Sequence, residues 1–364
     1  MAPSLALVHD YLTQRGGAER VVATWCHGFP DAPLYTSLFE PDLTFGDFGD
    51  HEVRTSWLNH AGPFRRHHRL ALPLLAPTMS HWQIDADVVL ASSSGWAHGV
   101  KTDGRLLVYC HAPARWLYQG ERYLRAGALG RRAQVASRAL APSLRRWDQH
   151  VAKRADRYLA NSTFTRDLLR SIYNIDAEIL APPVALPPVP TDAEPTVDVL
   201  VVSRLLPYKN VDMVLDVARL MPEHSFAVVG DGPLRPSLEG AAPANVTFVG
   251  AVRDDATLAS HYAHARLLLA LSHEDFGITP LEAALAGRPT VARRAGGYLD
   301  TVTDATGILV DEGAVTPLTV RDALRDALAR QWDVAVLRAH AASFGAERHL
   351  ERLRTLISEA APRP

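Results

Sequence analysis

The chain has 364 residues, 47% of them hydrophobic, and a formal net charge of −2. That length suits two domains that each bury a core, and the near-neutral charge argues against nucleic-acid binding by the whole chain. Two cysteines, Cys26 and Cys110, imply neither a disulfide framework nor a metal cluster and fit a reducing cytosol. The opening MAPSLALVHDYL does not read as a signal peptide, and no apolar run reaches bilayer-spanning length. The expectation is a cytoplasmic protein, at most peripheral to the inner face of a membrane.

Leu5–Val8 reads as a strand that opens into the loop His9–Arg20, and a helical pattern with Val21, Val22 and Trp25 on one face follows. The paired Gly16 and Gly17 let a backbone approach a ligand, although a tight turn explains such a pair equally well. The stretch FRRHHRLALPLLAPTMSHW from Phe64 reads as a buried helix under a polar loop, or as a lip facing lipid or acceptor. Asp87–Leu90 is the next predicted strand, ending at Ser92–Ser94, with His98 and Lys101 on a helix behind it. Arg105–Cys110 is another, and it delivers His111 to a strand's C-terminal end, where a histidine is better placed for function than most. From Lys101 to Arg170 there are fifteen Lys and Arg against five Asp and Glu, including Arg131, Arg132, Arg145, Arg146, Lys153 and Arg154. A solvated helix face explains that run, and a surface meeting anionic lipid or an anionic acceptor is the alternative. Tyr158–Leu159 leads to Asn161 and Ser162, a natural N-cap for a helix beginning near Phe164.

The proline-rich Ala181–Pro195 is a semi-rigid linker between domains. A second α/β series follows it. Val197–Val202 ends at Ser203 and Arg204, with Lys209 before a helix from Val211. Ser225–Val229 ends at Gly230, Asp231 and Gly232, and Val246–Val249 ends at Gly250. Leu267–Leu271 reads as a buried strand, and Pro280 suits the first turn of the next helix. Glu274 then lies before that helix and Glu282 in its first turn. Between them, the N–H groups around Gly277, Ile278 and Thr279 suit a ligand carrying hydroxyls and phosphates. Gly307–Val310 is the last predicted strand, and helical sequence runs from Thr316 to the end. Strands alternating with helices argue for parallel sheets built twice.

The stretch Ser272–Gly297 resembles the nucleotide-sugar site of retaining family-4 glycosyltransferases of the GT-B fold. The resemblance is carried by Glu274, Phe276, Gly277, Pro280, Glu282, Gly287, Pro289–Val291 and Gly296–Gly297. The HDYL and GGAER wording near the N-terminus resembles the exopolysaccharide and O-antigen mannosyltransferase branch. Cys110–Arg115 resembles the family's CHxPxR motif, and Arg204 with Lys209 its R(x4)K element, with Ser203 in place of the usual glycine. Asp85-Ala86-Asp87 is similar to the metal-binding DxD of the other large glycosyltransferase fold, but it precedes its strand, the wrong end for a site.

The resemblance implies two Rossmann-like domains facing each other across a cleft. Residues 1–185 would bind the acceptor and residues 186–345 the nucleotide sugar, with a helix at 346–364 packing back on the first domain. It implies catalytic roles for His111, Arg204, Lys209 and Glu274. Donor binding would fall to Gly16, Gly17, Ser203, Gly230, Asp231, Phe276, Gly277, Ile278, Thr279 and Glu282. Arg204 and Lys209 would hold the β-phosphate in place of a divalent metal, so neither metal nor cofactor is expected. Glu274 would orient donor-sugar hydroxyls or, less favoured, act as a nucleophile, and Glu282 would accept from the ribose. The implied partners are a nucleotide sugar, with mannose from GDP-mannose favoured, and a glycan, lipid-linked or small-molecule acceptor. A UDP-sugar-dependent transferase, a sugar-nucleotide epimerase and a binding protein are the alternatives.

Overall fold

A computed structural model of the chain describes residues 3–119, 131–184, 186–187 and 193–361. The chain divides into two compact units, one formed by Met1–Pro183 with Ala346–Pro364 and the other by Val184–Gly345. Part of the basic run, residues 120–130, lies outside the described residues, as do residues 185 and 188–192 of the linker.

Among the described residues the first unit holds a seven-stranded sheet. Its strands are β1 (Leu5–His9), β2 (Leu34–Thr36), β3 (Val53–Thr55), β4 (Val88–Ser93), β5 (Arg105–Cys110), β6 (Arg157–Ala160) and β7 (Glu178–Ile179), in the order β3-β2-β1-β4-β5-β6-β7. Every pairing is parallel. A parallel sheet is covered on both faces, which is why its central strands are almost continuously apolar. Val8, Ala91 and Val108 enter one core and Leu7, Leu90 and Leu107 the other. The Gly17–Gly28 helix covers the second face with Val21, Val22 and Trp25.

The helix expected behind β4 is a single 3-10 turn, Ala97–Gly99, and Lys101 lies beyond it in extended backbone bridged to Gln83. The Asp10 carboxylate accepts from the N–H groups of Ser94 (2.6 Å), Trp96 (3.2 Å) and Ala97 (2.5 Å). Gly95 has φ +133°, and a Cβ on Gly99 would meet Trp147 at 2.6 Å. The amides are thus satisfied by a side chain, and the chain turns before a helix can propagate.

The second unit holds a six-stranded parallel sheet, β8 (Val197–Val202), β9 (Phe226–Val229), β10 (Val246–Gly250), β11 (Ala265–Ala270), β12 (Thr290–Arg294) and β13 (Gly307–Asp311), in the order β10-β9-β8-β11-β12-β13. In each sheet the order reverses once at the centre, between β1 and β4 and between β8 and β11. Ligands of open α/β sheets bind outside the carboxyl ends of the strands at such a reversal.

The C-terminal sequence forms three helices, Pro317–Ala329, Val334–Ala342 and Ala346–Ala360. The last belongs to the first unit. It buries His349, Leu353, Leu356 and Ile357, an i, i+4, i+7, i+8 stripe that gives the helix one apolar face. Among the described residues no helix is long and apolar enough to cross a membrane.

Candidate active site

The reversal in the second sheet assembles the charged residues. β8 runs out through Ser203 and Arg204 into a 3-10 turn, Pro207–Lys209, and Asn210 then adopts the left-handed conformation at φ 55°. Its side-chain amide donates to the carbonyl of Leu271 at 3.0 Å, pinning this turn to the end of β11. That brings the Lys209 ammonium onto the Glu274 carboxylate, with side chains 11% and 20% exposed. Ser272 donates to the same carboxylate at 2.5 Å and sits 2.9 Å from the hydroxyl of Tyr298. Burial, and then the Glu274 charge, push the Tyr298 hydroxyl well above the ordinary phenol range. It therefore stays protonated. Arg204 is exposed beside this cluster, with its guanidinium 3.2 Å from the Tyr208 hydroxyl.

The two glutamates differ in setting. Glu282, in the first turn of the Thr279–Leu285 helix, is 5% exposed and accepts from the buried Tyr262 hydroxyl at 2.7 Å. Glu274 is held by a cation and a hydroxyl. Among the described residues, the backbone N–H groups of Gly277 and Ile278 donate to no backbone carbonyl. The glycines explain how the loop holds its shape. Gly277 has φ +84°, and a Cβ there would lie 2.4 Å from the Tyr298 ring; a Cβ on Gly297 would lie 2.2 Å from both Cα and O of Phe276. The Gly297 N–H donates to Glu274 O at 2.9 Å. Two backbones thus run in contact without side chains between them, and this contact fixes the glutamate loop. Gly230 plays the same part against β8, since its Cβ would fall 1.9 Å from Ser203 O. Asp231 is exposed in that turn and accepts from the N–H of Gly232.

In the first unit, His111 follows β5 and is 8% exposed. Its Nε2 lies 2.8 Å from Ser92 Oγ, and its carbonyl accepts from the Asn161 amide at 2.9 Å. Burial first, then His9 and Arg115, hold its imidazole well below its usual range, so it is neutral at pH 7. Ser162 alone caps the Thr163–Tyr173 helix, accepting from the Thr165 N–H at 3.0 Å. Asn161, read from sequence as a cap, instead fixes His111. Neither Gly16 nor Gly17 has a positive φ, so the pair is not a left-handed turn. A Cβ on Gly16 would fall 2.5 Å from Glu19 Oε2, whereas one on Gly17 meets nothing within 4 Å. Asp87, of the dismissed Asp85–Asp87 triplet, accepts from the Ser4 N–H and hydroxyl, each at 2.8 Å.

Sequence reasoning missed Ser272, Tyr298, Tyr262, Asn210 and Asn161, the residues that hold Glu274, Glu282, the Lys209 turn and His111. Ser272 and Asn161 carried a signal, each a polar residue after a buried strand, and Asn161 was read only as a helix cap.

A family model described as Glycosyltransferase Family 4 matches residues 15–185, and one described as Glycosyl transferases group 1 matches residues 196–330. The chain is 34% identical over 148 residues to a GDP-mannose-dependent alpha-(1-6)-phosphatidylinositol monomannoside mannosyltransferase of Mycolicibacterium smegmatis, covering 35% of this chain and 38% of that protein. It is 35% identical over 159 residues to a 2-deoxystreptamine glucosyltransferase of Streptomyces kanamyceticus, covering 39% and 41%. The matched stretch thus spans about half or less of these relatives' length. Among solved structures, sucrose-phosphate synthase from Thermosynechococcus elongatus has a TM-score of 0.70 at 17% identity, covering 97% of this chain and 98% of that one. Anabaena Alr3699/HepE in complex with UDP-glucose has a TM-score of 0.67 at 18% identity, covering 98% and 99%. At such identities the structures speak to fold, while the two family models speak to kinship. With one of those models on each parallel-sheet unit, the chain belongs to the family-4 glycosyltransferases and has their GT-B fold.

Proposed function

We propose that the protein is a retaining glycosyltransferase that moves a hexose from a nucleotide sugar to an acceptor hydroxyl without a metal ion. The observation that carries this reading is the Lys209–Glu274–Ser272 cluster, with Arg204 beside it, at the reversal of the second sheet. The second unit would bind the donor and the first the acceptor. Lys209 has three donors, enough to keep Glu274 and also reach a phosphate oxygen. Together with the guanidinium of Arg204 it would stabilise the charge that develops as the sugar–phosphate bond breaks, the part a divalent metal plays elsewhere. Glu274 would orient sugar hydroxyls, and Glu282 would accept from the ribose. The departing phosphate would take the acceptor proton from the same face, which retains the anomeric configuration. His111, neutral, would lie against the transferred sugar.

Mannose from GDP-mannose is the favoured donor, since matched relatives are named as GDP-mannose-dependent. The second reading, a UDP-sugar donor, is favoured by the fold neighbour that holds UDP-glucose. The acceptor is a glycan, a lipid-linked glycan or a small molecule. Exposed Trp57 and Leu70, on a unit that also carries Arg54, Arg65 and Arg66, suit contact with anionic lipid.

Thermal-shift measurements with GDP, UDP, ADP and TDP test the donor directly. Stabilisation by GDP above the others is expected, and stabilisation by none would sink the donor assignment. Arg204→Ala and Lys209→Ala should each lower turnover roughly a hundredfold, and near wild-type rates would remove them from the phosphate. Activity that collapses in EDTA and returns with Mn²⁺ would contradict the metal-free reading.

A further inference from the structure

Asp10 follows β1 at the reversal of the first sheet and is 1% exposed. A buried carboxyl is costly unless its oxygens meet donors. Here Oδ2 accepts from the N–H of Ser94 at 2.6 Å, and Oδ1 from those of Trp96 at 3.2 Å and Ala97 at 2.5 Å. The direction of these bonds is fixed, because a backbone N–H only donates, and no tautomer enters. Burial raises the Asp10 pKa, and His9 and the Ser94 and Ala97 amides oppose it. The Asp10 carbonyl is held in turn by the Ser37 N–H at 3.3 Å and by the Ser37 hydroxyl. The side chain is thus presented from an anchored backbone.

What the carboxyl holds is the wall behind His111. Ser93 pairs in register with Cys110, and its carbonyl accepts from the His111 N–H at 2.9 Å. Gly95, in the middle of the clamped turn, has φ +133°, and a Cβ there would fall 2.7 Å from Ala114 Cβ and 2.9 Å from Ala114 Cα. Ala114 is buried and directly precedes the Arg115–Tyr118 helix. The Ser93–Ala97 segment therefore meets the His111–Ala114 turn at both ends, by a hydrogen bond at one and by close packing at the other. The N–H groups of Ser94, Trp96 and Ala97 go to Asp10, and that of Gly95 goes to Ser93 Oγ at 3.1 Å. The Asp10 carboxyl is what sets the path of this segment.

Resting on the assignment of His111 to the substrate site, we propose that Asp10 is a positioning residue of the transfer reaction. By clamping three amides it fixes the Ser93–Ala97 segment, and that segment fixes where His111 meets the sugar. A productive geometry is lost on displacement by about 1 Å, so the clamp acts on kcat more than on donor binding. Asparagine cannot replace the carboxyl. Both oxygens accept, so its NH₂ would be turned against at least one N–H.

The test is chemical rescue. Nucleoside diphosphate release from GDP-mannose and UDP-glucose is followed for the full chain as wild type, Asp10→Ala, Asp10→Asn and His111→Ala, and for Asp10→Ala combined with His111→Ala. Asp10→Ala and Asp10→Asn should each lower kcat about tenfold and change the donor KM less than about twofold. Sodium formate, which fits the space of the missing carboxyl, should bring Asp10→Ala to within about threefold of the wild type. Asp10→Asn, where that space is filled, should not respond, and sodium chloride should help neither. Once His111 is Ala, adding Asp10→Ala should cost less than about twofold, since a residue that acts through another is non-additive with it. If Asp10→Ala is unfolded in buffer, formate should refold it, as circular dichroism would show. Wild-type kcat in Asp10→Ala, no response to formate, an equal gain from chloride or in Asp10→Asn, or a loss undiminished without His111 overturns the proposal. If His111→Ala turns over like the wild type, His111 is outside the substrate site and the functional reading fails. The clamp is then read separately from the ¹⁵N-labelled chain. The amide signals of Ser94, Trp96 and Ala97 should move in Asp10→Ala and return with formate, and unmoved signals remove the clamp as well.

Discussion

His349 gives the most quantitative expectation. It sits on the terminal helix, 3% exposed, and its Nε2 accepts from the Trp25 indole N–H at 2.9 Å while its Nδ1 donates to the Ala181 carbonyl at 2.8 Å. Both nitrogens are committed to the neutral ring, because a proton on Nε2 would face the indole N–H. Burial accordingly holds its pKa down to about 4. The ordinary value, near 6.5, applies once the chain unfolds. The folded-state pKa is depressed, so the unfolded state binds the proton more readily as acid is added. Stability from this residue is therefore full above about pH 7 and is lost as pH falls from about 6.5 to about 4. The whole shift is worth about 3 kcal/mol, of which about 2 kcal/mol is gone by pH 5. Urea unfolding of the wild type and of His349→Gln at pH 7 and pH 5 isolates the effect, because His111 contributes in the same direction to both proteins. The wild type should lose about 2 kcal/mol more than the variant between the two values. Equal losses would refute the reasoning, and would mean that the ring is solvated or charged in the folded state.

Four further outcomes follow from the geometry. Gly297→Ala puts a Cβ 2.2 Å from the Phe276 backbone; it should cost at least about 2 kcal/mol in urea unfolding and abolish nucleotide-induced thermal shifts. Gly17→Ala meets no described atom within 4 Å, so stability should change by under about 1 kcal/mol. A selective loss of turnover there would mark the close approach of a substrate. Tyr262→Phe strips Glu282 of a buried donor and should raise the donor KM about tenfold, with stability falling about 1 kcal/mol; an unchanged KM would detach Glu282 from the donor. Tyr298→Phe removes the hydroxyl beside Ser272 and should lower kcat more than it raises KM, as steady-state kinetics would resolve.

Much of the frame was legible because its signals are local. The predicted runs Val197–Val202 and Arg105–Cys110 coincide with β8 and β5, since the doubly covered middle of a parallel strand has to be apolar. Pro280 and Glu282 fall in the first turn of their helix as the spacing predicts. The short β2, β3 and β7 were not legible, nor was β12, whose Thr290–Arg294 ends in two arginines. Such strands are specified by the neighbour they pair with more than by their own pattern. The single turn where a helix was expected near His98 shows the same thing. A carboxylate 87 positions away from Ala97 satisfies the amides that decide it.

The same division holds for the site. From the sequence alone came the carboxylates, cations and glycines at strand ends, and with them the class of chemistry, because these residue types and spacings are properties of one chain segment at a time. Which groups meet was a matter for the tertiary structure. Lys209 finds Glu274 across 65 positions, and His111, just past the end of β5, meets Ser92 of β4 across 19. Hydrogen bonds act over about 3 Å, and only the parallel register of the sheets brings such distant residues within that reach.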